Sequence, residues 1–207
     1  MRGQAMKKVI NRLKQKGIDL SRVRALDIFA REGDWQTAAY ASKVTSLDAW
    51  EIDPKFKKGL KKNIPNARIK IVDSIKEIRK KEHFGKYDLI VVDNPQNCYG
   101  AKNEYCEHFN VIPQIAKLLD KEGVIIFNIN KQPFGFDDFP GWQTRRAQFY
   151  GRKNTGKLTL KFLLGFYKNL FKKSGYSTKL CFNMSRNDWA HNDYLHYLVF
   201  SLSKIKK

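Results

Sequence analysis

Four acidic residues fall in or at the ends of four apolar runs of this sequence. Asp27 falls in the first, Ala25-Leu26-Asp27-Ile28-Phe29-Ala30. Glu51 ends residues 44–51, Asp73 follows 68–72, and Asp93 ends Tyr87-Asp88-Leu89-Ile90-Val91-Val92-Asp93. Each acid alone reads as a helix cap or a solvated carboxylate. Together they mark one edge of a sheet if the runs are parallel strands, and that edge is where open α/β sheets bind ligands. The turn after the first run reads Phe29-Ala30-Arg31-Glu32-Gly33-Asp34-Trp35. A dinucleotide fingerprint wants three glycines there, so that backbone amides approach a pyrophosphate. Only Gly33 is present, and Glu32 and Asp34 repel a diphosphate. No Gly-Lys-Ser or Gly-Lys-Thr closes a P-loop either. The loop suits a cationic ligand without phosphate.

The elements that must position these acids follow from hydrophobic patterning. Strands are expected at 25–30, 44–51, 68–72, 87–93 and 123–130, with 176–183 and 194–203 as a closing antiparallel pair. Helices are expected at 6–17, 35–42, from Pro54 on, at 74–81, 105–119 and 160–174. Strands that are continuously apolar are buried on both faces. The alternation therefore predicts an α/β fold: a doubly wound, mainly parallel seven-stranded sheet with helices on both faces and an antiparallel C-terminal strand pair. Residues 1–207 read as one domain, with a basic N-terminal helix in 1–22 and an insert at 131–159 that lacks periodicity.

On these residues the chain resembles class I S-adenosylmethionine-dependent methyltransferases. Leu26-Asp27-Ile28-Phe29-Ala30-x-x-Gly33 resembles the family's first motif, with Arg31 where a loop glycine is usual. Trp50-Glu51-Ile52-Asp53-Pro54 resembles the second, which implies ribose binding by Glu51. Glu51 also lies eighteen positions after Gly33, near the roughly 20-residue offset of a ribose-binding carboxylate in this kind of fold. Val72-Asp73-Ser74 resembles the third and implies adenine contacts by Asp73. The resemblance implies S-adenosyl-L-methionine as cofactor, held by Asp27, Phe29, Ala30, Gly33, Trp35, Glu51, Ile52, Asp73, Ser74 and Asp93.

Asp93-Asn94-Pro95-Gln96 stands where the amino-methylating branch carries (Asp/Asn/Ser)-Pro-Pro-(aromatic), with Asn94 and Gln96 replacing a proline and an aromatic. Methylation of an exocyclic amine needs an acceptor for its hydrogens and a planar clamp, and gains most of its rate from orientation. Asp93 or Asn94 is the candidate acceptor, Tyr99 the candidate stacking ring, and Pro95 and Gln96 complete the catalytic set. A strand-ending turn is the bland reading of Asn94-Pro95. Cytosine C5 chemistry needs a cysteine nucleophile, and the Pro-Cys pair is missing although Cys98 is near.

The insert interleaves aromatics with cations: Phe134, Phe136, Trp142 and Tyr150 beside Arg145, Arg146, Arg152 and Lys153. Rings stack on unpaired bases while cations track phosphates, so these residues form the candidate substrate surface. The alternative is a lid whose aromatics cover the core. The net charge of +20 also points to a polyanionic partner, RNA or DNA. Other readings are a small-molecule or protein methyltransferase, and an inactive methyltransferase fold that binds nucleic acid or a partner.

No apolar run of about 18 residues is present, and the basic N-terminus has no apolar h-region. Neither a membrane partner nor a signal peptide is expected. Cys98, Cys106 and Cys181 make an odd count with no CxxC, which argues for a reducing, cytoplasmic setting. His83, His108, His191 and His196 show no metal spacing, so no metal is expected. Residues 189–193 read as a polar hairpin turn, and nothing in the sequence marks an oligomeric state.

Overall fold

The computed structural model describes residues 3–186 and 194–206, so the turn expected at 189–193, with His191, lies outside the described residues. A seven-stranded sheet organises the chain in the order β3-β2-β1-β4-β7-β9-β8. Its strands are β1 (Arg24–Asp27), β2 (Ser46–Glu51), β3 (Arg68–Ile71), β4 (Tyr87–Val92), β7 (Leu119–Asn130), β8 (Tyr176–Ser185) and β9 (Leu195–Lys204). The first five are parallel, and β9 pairs antiparallel with both β7 and β8. This is the expected architecture.

Strand β4 shows why an unbroken apolar run reads as central. Leu89 and Val91 join one core cluster, with α1 (Gln4–Gln15) and Leu60 of α2 (Lys57–Asn63). Ile90 and Val92 join the other, with α4 (Ile112–Ile115), α5 (Pro140–Tyr150) and α6 (Leu160–Lys173). Each core side chain of this kind stabilises the fold by about 1.5–3 kcal/mol through removal from water. Crossover connections thus place helices on both faces and all the parallel carboxyl ends at one edge.

Several local expectations are corrected. The alanine-rich helix at 35–42 is two 3₁₀ turns, Thr37–Ala39 and Ala41–Lys43, meeting at buried Tyr40. The helix at 105–119 is replaced by β6 (Tyr105–Cys106) paired with β5 (Cys98–Tyr99), then short α4. Glu107, at φ +42, turns the chain between them. The helix expected at 74–81 closes after one turn, as α3 (Ser74–Glu77). The insert is not structureless, because α5 occupies much of it.

Candidate active site

All four strand-end acids, Asp27, Glu51, Asp73 and Asp93, line one cavity of about 640 Å³ at the carboxyl edge. That volume suits a nucleoside-sized ligand. Asp34 joins them, so five of the chain's 20 acids meet here, opposed by Arg31 and Arg186. In a chain of net charge +20 this concentration makes the cavity an acidic exception. Phe29, Ala30, Trp35, Ile52 and Ser74 line it too. Ile52 stays 64% exposed, which leaves an apolar surface beside Phe56 and Ile75 for a planar ring.

The acids differ in what their oxygens already hold. Asp27 Oδ2 accepts from Tyr40 OH at 2.6 Å and Thr37 Oγ1 at 2.7 Å, and its Oδ1 from the Phe29 amide at 3.2 Å. Burial pushes its carboxyl up to about 6 against these three bonds, with the charge of Asp93 adding to the rise. Glu51 accepts the amides of Arg31, Ile52 and Asp53 at 2.8–2.9 Å. A carboxylate offers about four acceptor positions, so one remains for a further donor. Asp73 caps α3 through the Ile75 and Lys76 amides, and its other oxygen faces Lys76 Nζ at 3.5 Å. The helix-cap reading therefore holds for Asp73. Asp93 Oδ2 accepts from Arg186 Nη2 and Tyr197 OH, each at 2.9 Å. Its Oδ1 is buried with no hydrogen-bond partner among the described residues, which sets it apart among the four acids.

Gly33 does not line the cavity. It turns the loop at φ +70, and a Cβ there would meet Ile64 at 3.0 Å. Gly33→Ala is expected to cost about 1–2 kcal/mol through left-handed strain and this clash, read as an earlier urea midpoint. Arg31, where the family has a glycine, keeps the same conformation at φ +49 and lays its guanidinium over Phe56 at 5.6 Å. Its amide, rather than its side chain, meets Glu51.

The Asp93-Asn94-Pro95-Gln96 segment and Tyr99 line the same cavity. Asn94, however, is buried and turned inward. Its Nδ2 donates to the Glu107 and Pro95 carbonyls, while its Oδ1 accepts from Gln96 Nε2 at 3.2 Å. Asn128 clasps the same loop, donating from Nδ2 to the Asn94 carbonyl at 2.8 Å. Tyr99 OH donates to the Glu107 carbonyl at 2.9 Å. Asn94 thus builds the loop and Asp93 keeps the free acceptor.

A second cavity of about 820 Å³ adjoins the first, sharing Pro95, Gln96 and Leu195 with it. Phe134, Phe139, Trp142, Lys102 and Arg145 stand on its walls. Phe134 is 86% exposed and Phe139 57% exposed. Phe136, expected on the substrate surface, is instead buried under Trp142 with ring centroids 5.5 Å apart and lines neither cavity. Arg152 and Lys153 are exposed elsewhere on the insert, Arg152 over the Phe162 ring at 4.9 Å.

Arg146 and Tyr150 require correction as substrate contacts. Both are buried, Arg146 completely, and neither lines either cavity. Arg146 pairs with fully buried Glu107, which also accepts from Trp142 Nε1 at 2.8 Å. A guanidinium shut in the core meets no phosphate. Two histidines are held by side chains: His83 Nε2 lies 2.8 Å from Glu77, and His108 Nε2 bonds Tyr167 OH. Glu77, Glu82 and His83 form a group close enough to hold a cation, but Lys70 and Lys80 already face Glu77. These partners hold the Glu77 carboxyl down at about 2 against its burial. Residues that patterning missed include Arg186, which follows β8, and Asn128 of β7; their roles arise only when β4, β7, β9 and β8 stand side by side.

No family model matches the sequence, and no curated protein matches it. Among solved structures, 1026 chains match. One is a candidate sarcosine dimethylglycine methyltransferase from Galdieria sulphuraria, with 15% identity and a TM-score of 0.60 over 98% of this chain and 86% of that one. M. jannaschii TYW2 in complex with AdoMet aligns at 16% identity and a TM-score of 0.58, covering 99% of this chain and 78% of that one. Trm5b from Pyrococcus abyssi aligns at 16% identity and a TM-score of 0.58 over 97% of this chain, which spans 49% of that protein. The strand order, the reversed β9 and these likenesses agree: the chain has the fold of class I S-adenosylmethionine-dependent methyltransferases.

Proposed function

We propose that the protein is an S-adenosylmethionine-dependent methyltransferase acting on nucleic acid, RNA or DNA, at an exocyclic amino nitrogen such as adenine N6. Because one fold hosts many chemistries, the reading rests on the site. A single observation carries it: an acid-lined cavity of nucleoside size abuts a cation- and aromatic-walled cavity at Pro95 and Gln96. The first fits a sulfonium and an ammonium group, the second a base and its phosphates.

When bound, the cofactor supplies an electrophilic methyl group. Glu51 would hold a ribose hydroxyl with its remaining acceptor position, and Ile52 would face the adenine ring. Asp27 would balance the cationic methionine end. Asp93 Oδ1 would accept a hydrogen of the target amine and so aim its lone pair at the methyl carbon. Phe134, Trp142 and Arg145 would hold the base and its neighbours, as such groups hold single strands.

Calorimetry with S-adenosylmethionine at millimolar concentration tests the cofactor, and labelled methyl transfer to RNA, DNA, protein and metabolite pools tests the acceptor. Transfer to RNA or DNA is expected, with binding that weakens steeply with salt. Label reaching only protein or metabolites overturns the acceptor, and no cofactor binding overturns the whole reading.

The raised Asp27 carboxyl adds a pH signature. Its folded value of about 6 lies above the ordinary value near 3.9. Cofactor affinity is therefore expected to tighten about tenfold from pH 5 to pH 7 as Asp27 ionises, and to stay flat in Asp27→Asn. The linkage for stability runs oppositely. Between roughly pH 4 and 6 the folded state holds a proton that the unfolded chain has lost, so stability falls as pH rises through that window. Methylthioadenosine, which carries no cation, should bind without this slope; an equal slope would remove Asp27 from the explanation.

A further inference from the structure

Cys98 and Cys106 are eight positions apart in sequence, yet they are register partners across the β5–β6 ribbon. The Glu107 amide donates to the Asn97 carbonyl at 2.9 Å, so Asn97 and Glu107 form a hydrogen-bonded pair of the ladder. The next pair, Cys98 and Cys106, is then a non-hydrogen-bonded pair. Such pairs bring their Cα atoms to about 4.5 Å, within the roughly 4.4–6.8 Å that a disulfide spans. Both thiols are free.

Their surroundings divide the labour. Cys98 is half-buried on the wall of the outer cavity, open to a small solute. Cys106 is 1% exposed. Burial, then the charge of Glu107, push its thiol well above the ordinary value. Cys181 lies apart on β8.

We propose that Cys98 and Cys106 form a redox modification site that a hydroperoxide closes to a disulfide. The Cys98 sulfur attacks the terminal oxygen of the hydroperoxide, giving a sulfenic acid and releasing the alcohol, or water when the oxidant is hydrogen peroxide. The Cys106 sulfur then attacks the Cys98 sulfur; the S–S bond forms, and the sulfenic oxygen leaves as water with the Cys106 proton. Two thiols lose two electrons and the hydroperoxide gains them. Tyr99 and Tyr105 of this ribbon reach the inner cavity, while Lys102 and Asn103 reach the outer one. The cross-link therefore pins the partition between the two cavities. The site stands whether or not the protein transfers methyl groups.

The test uses the full chain carrying Cys181→Ser, treated with hydrogen peroxide and read by intact mass and peptide mapping. One intramolecular Cys98–Cys106 disulfide is expected, with the loss of two hydrogens, reversed by dithiothreitol. Amide exchange across residues 97–107 is expected to slow about tenfold in the oxidised form. In Cys106→Ala, Cys98 should stop at a dimedone-reactive sulfenic acid; in Cys98→Ala, Cys106 should remain a thiol over the same time. The proposal is overturned if peroxide leaves both thiols intact, drives Cys98 to sulfinic acid without a cross-link, or labels Cys106 first.

Discussion

Arg146→Met is expected to lower the unfolding free energy by about 3–5 kcal/mol, because it strands the Glu107 carboxylate in the core. Both side chains of the pair have no solvent exposure. Burial pushes the Glu107 carboxyl up while Arg146 pulls it back, and Glu107 in turn keeps Arg146 protonated. Without Arg146 the upward push is opposed only by the Trp142 hydrogen bond. Glu107 then takes up a proton on folding, so the deficit should shrink as pH falls and widen as pH rises. Glu107→Gln combined with Arg146→Met should recover part of the loss, since no unpaired charge stays buried. Urea denaturation of the single and double variants at pH 5 and pH 8 provides the measurement. A single-variant loss below 1 kcal/mol, or one independent of pH, would reject this account.

The same pair explains why the insert was opaque in sequence. Helix α5 buries Trp142, Arg146 and Tyr150, which are spaced i, i+4, i+8 as a helical stripe requires. An arginine in the middle of that stripe conceals it, because its partner lies 39 positions earlier on a turn. No local rule links the two. The strands were legible for the opposite reason: residues 89–92 of β4 and 124–127 of β7 are unbroken apolar runs buried on both faces, which leaves little room for other readings. The strand-end acids were legible through topology, since parallel strands put all four carboxyl ends on one edge. Their individual states were not, because hydrogen-bond partners come from other elements. Tyr40 sits on Asp27 from a 3₁₀ turn, and Tyr197 reaches Asp93 from β9, 104 positions away. Cys98 and Cys106 were seen as two of an odd three until the ribbon paired them.

Those partners also decide which residue of Asp93-Asn94-Pro95-Gln96 would handle the amine in the proposed reaction. If Asp93 Oδ1 is the acceptor, Asp93→Asn should reduce methyl transfer about 10²-fold or more, the usual scale for losing a positioned proton acceptor. The substitution keeps the shape of the side chain but removes the charge that pairs with Arg186, so stability is measured beside transfer. An asparagine oxygen can keep the bonds from Arg186 and Tyr197, which places the NH₂ group where Oδ1 stood. A donor then faces a donor, and the amine loses its orientation. Cofactor affinity at pH 8 should change by less than about threefold, because Asp27, Asp34, Glu51 and Asp73 still line the inner cavity. Asn94→Ala should behave differently: its carboxamide holds the Glu107 and Pro95 carbonyls, so stability falls by about 1–3 kcal/mol. Single-turnover transfer, calorimetry and urea unfolding of the two variants separate the roles. Undiminished transfer by Asp93→Asn would remove Asp93 as the acceptor, and an equal loss of cofactor binding would reassign it to holding the cofactor.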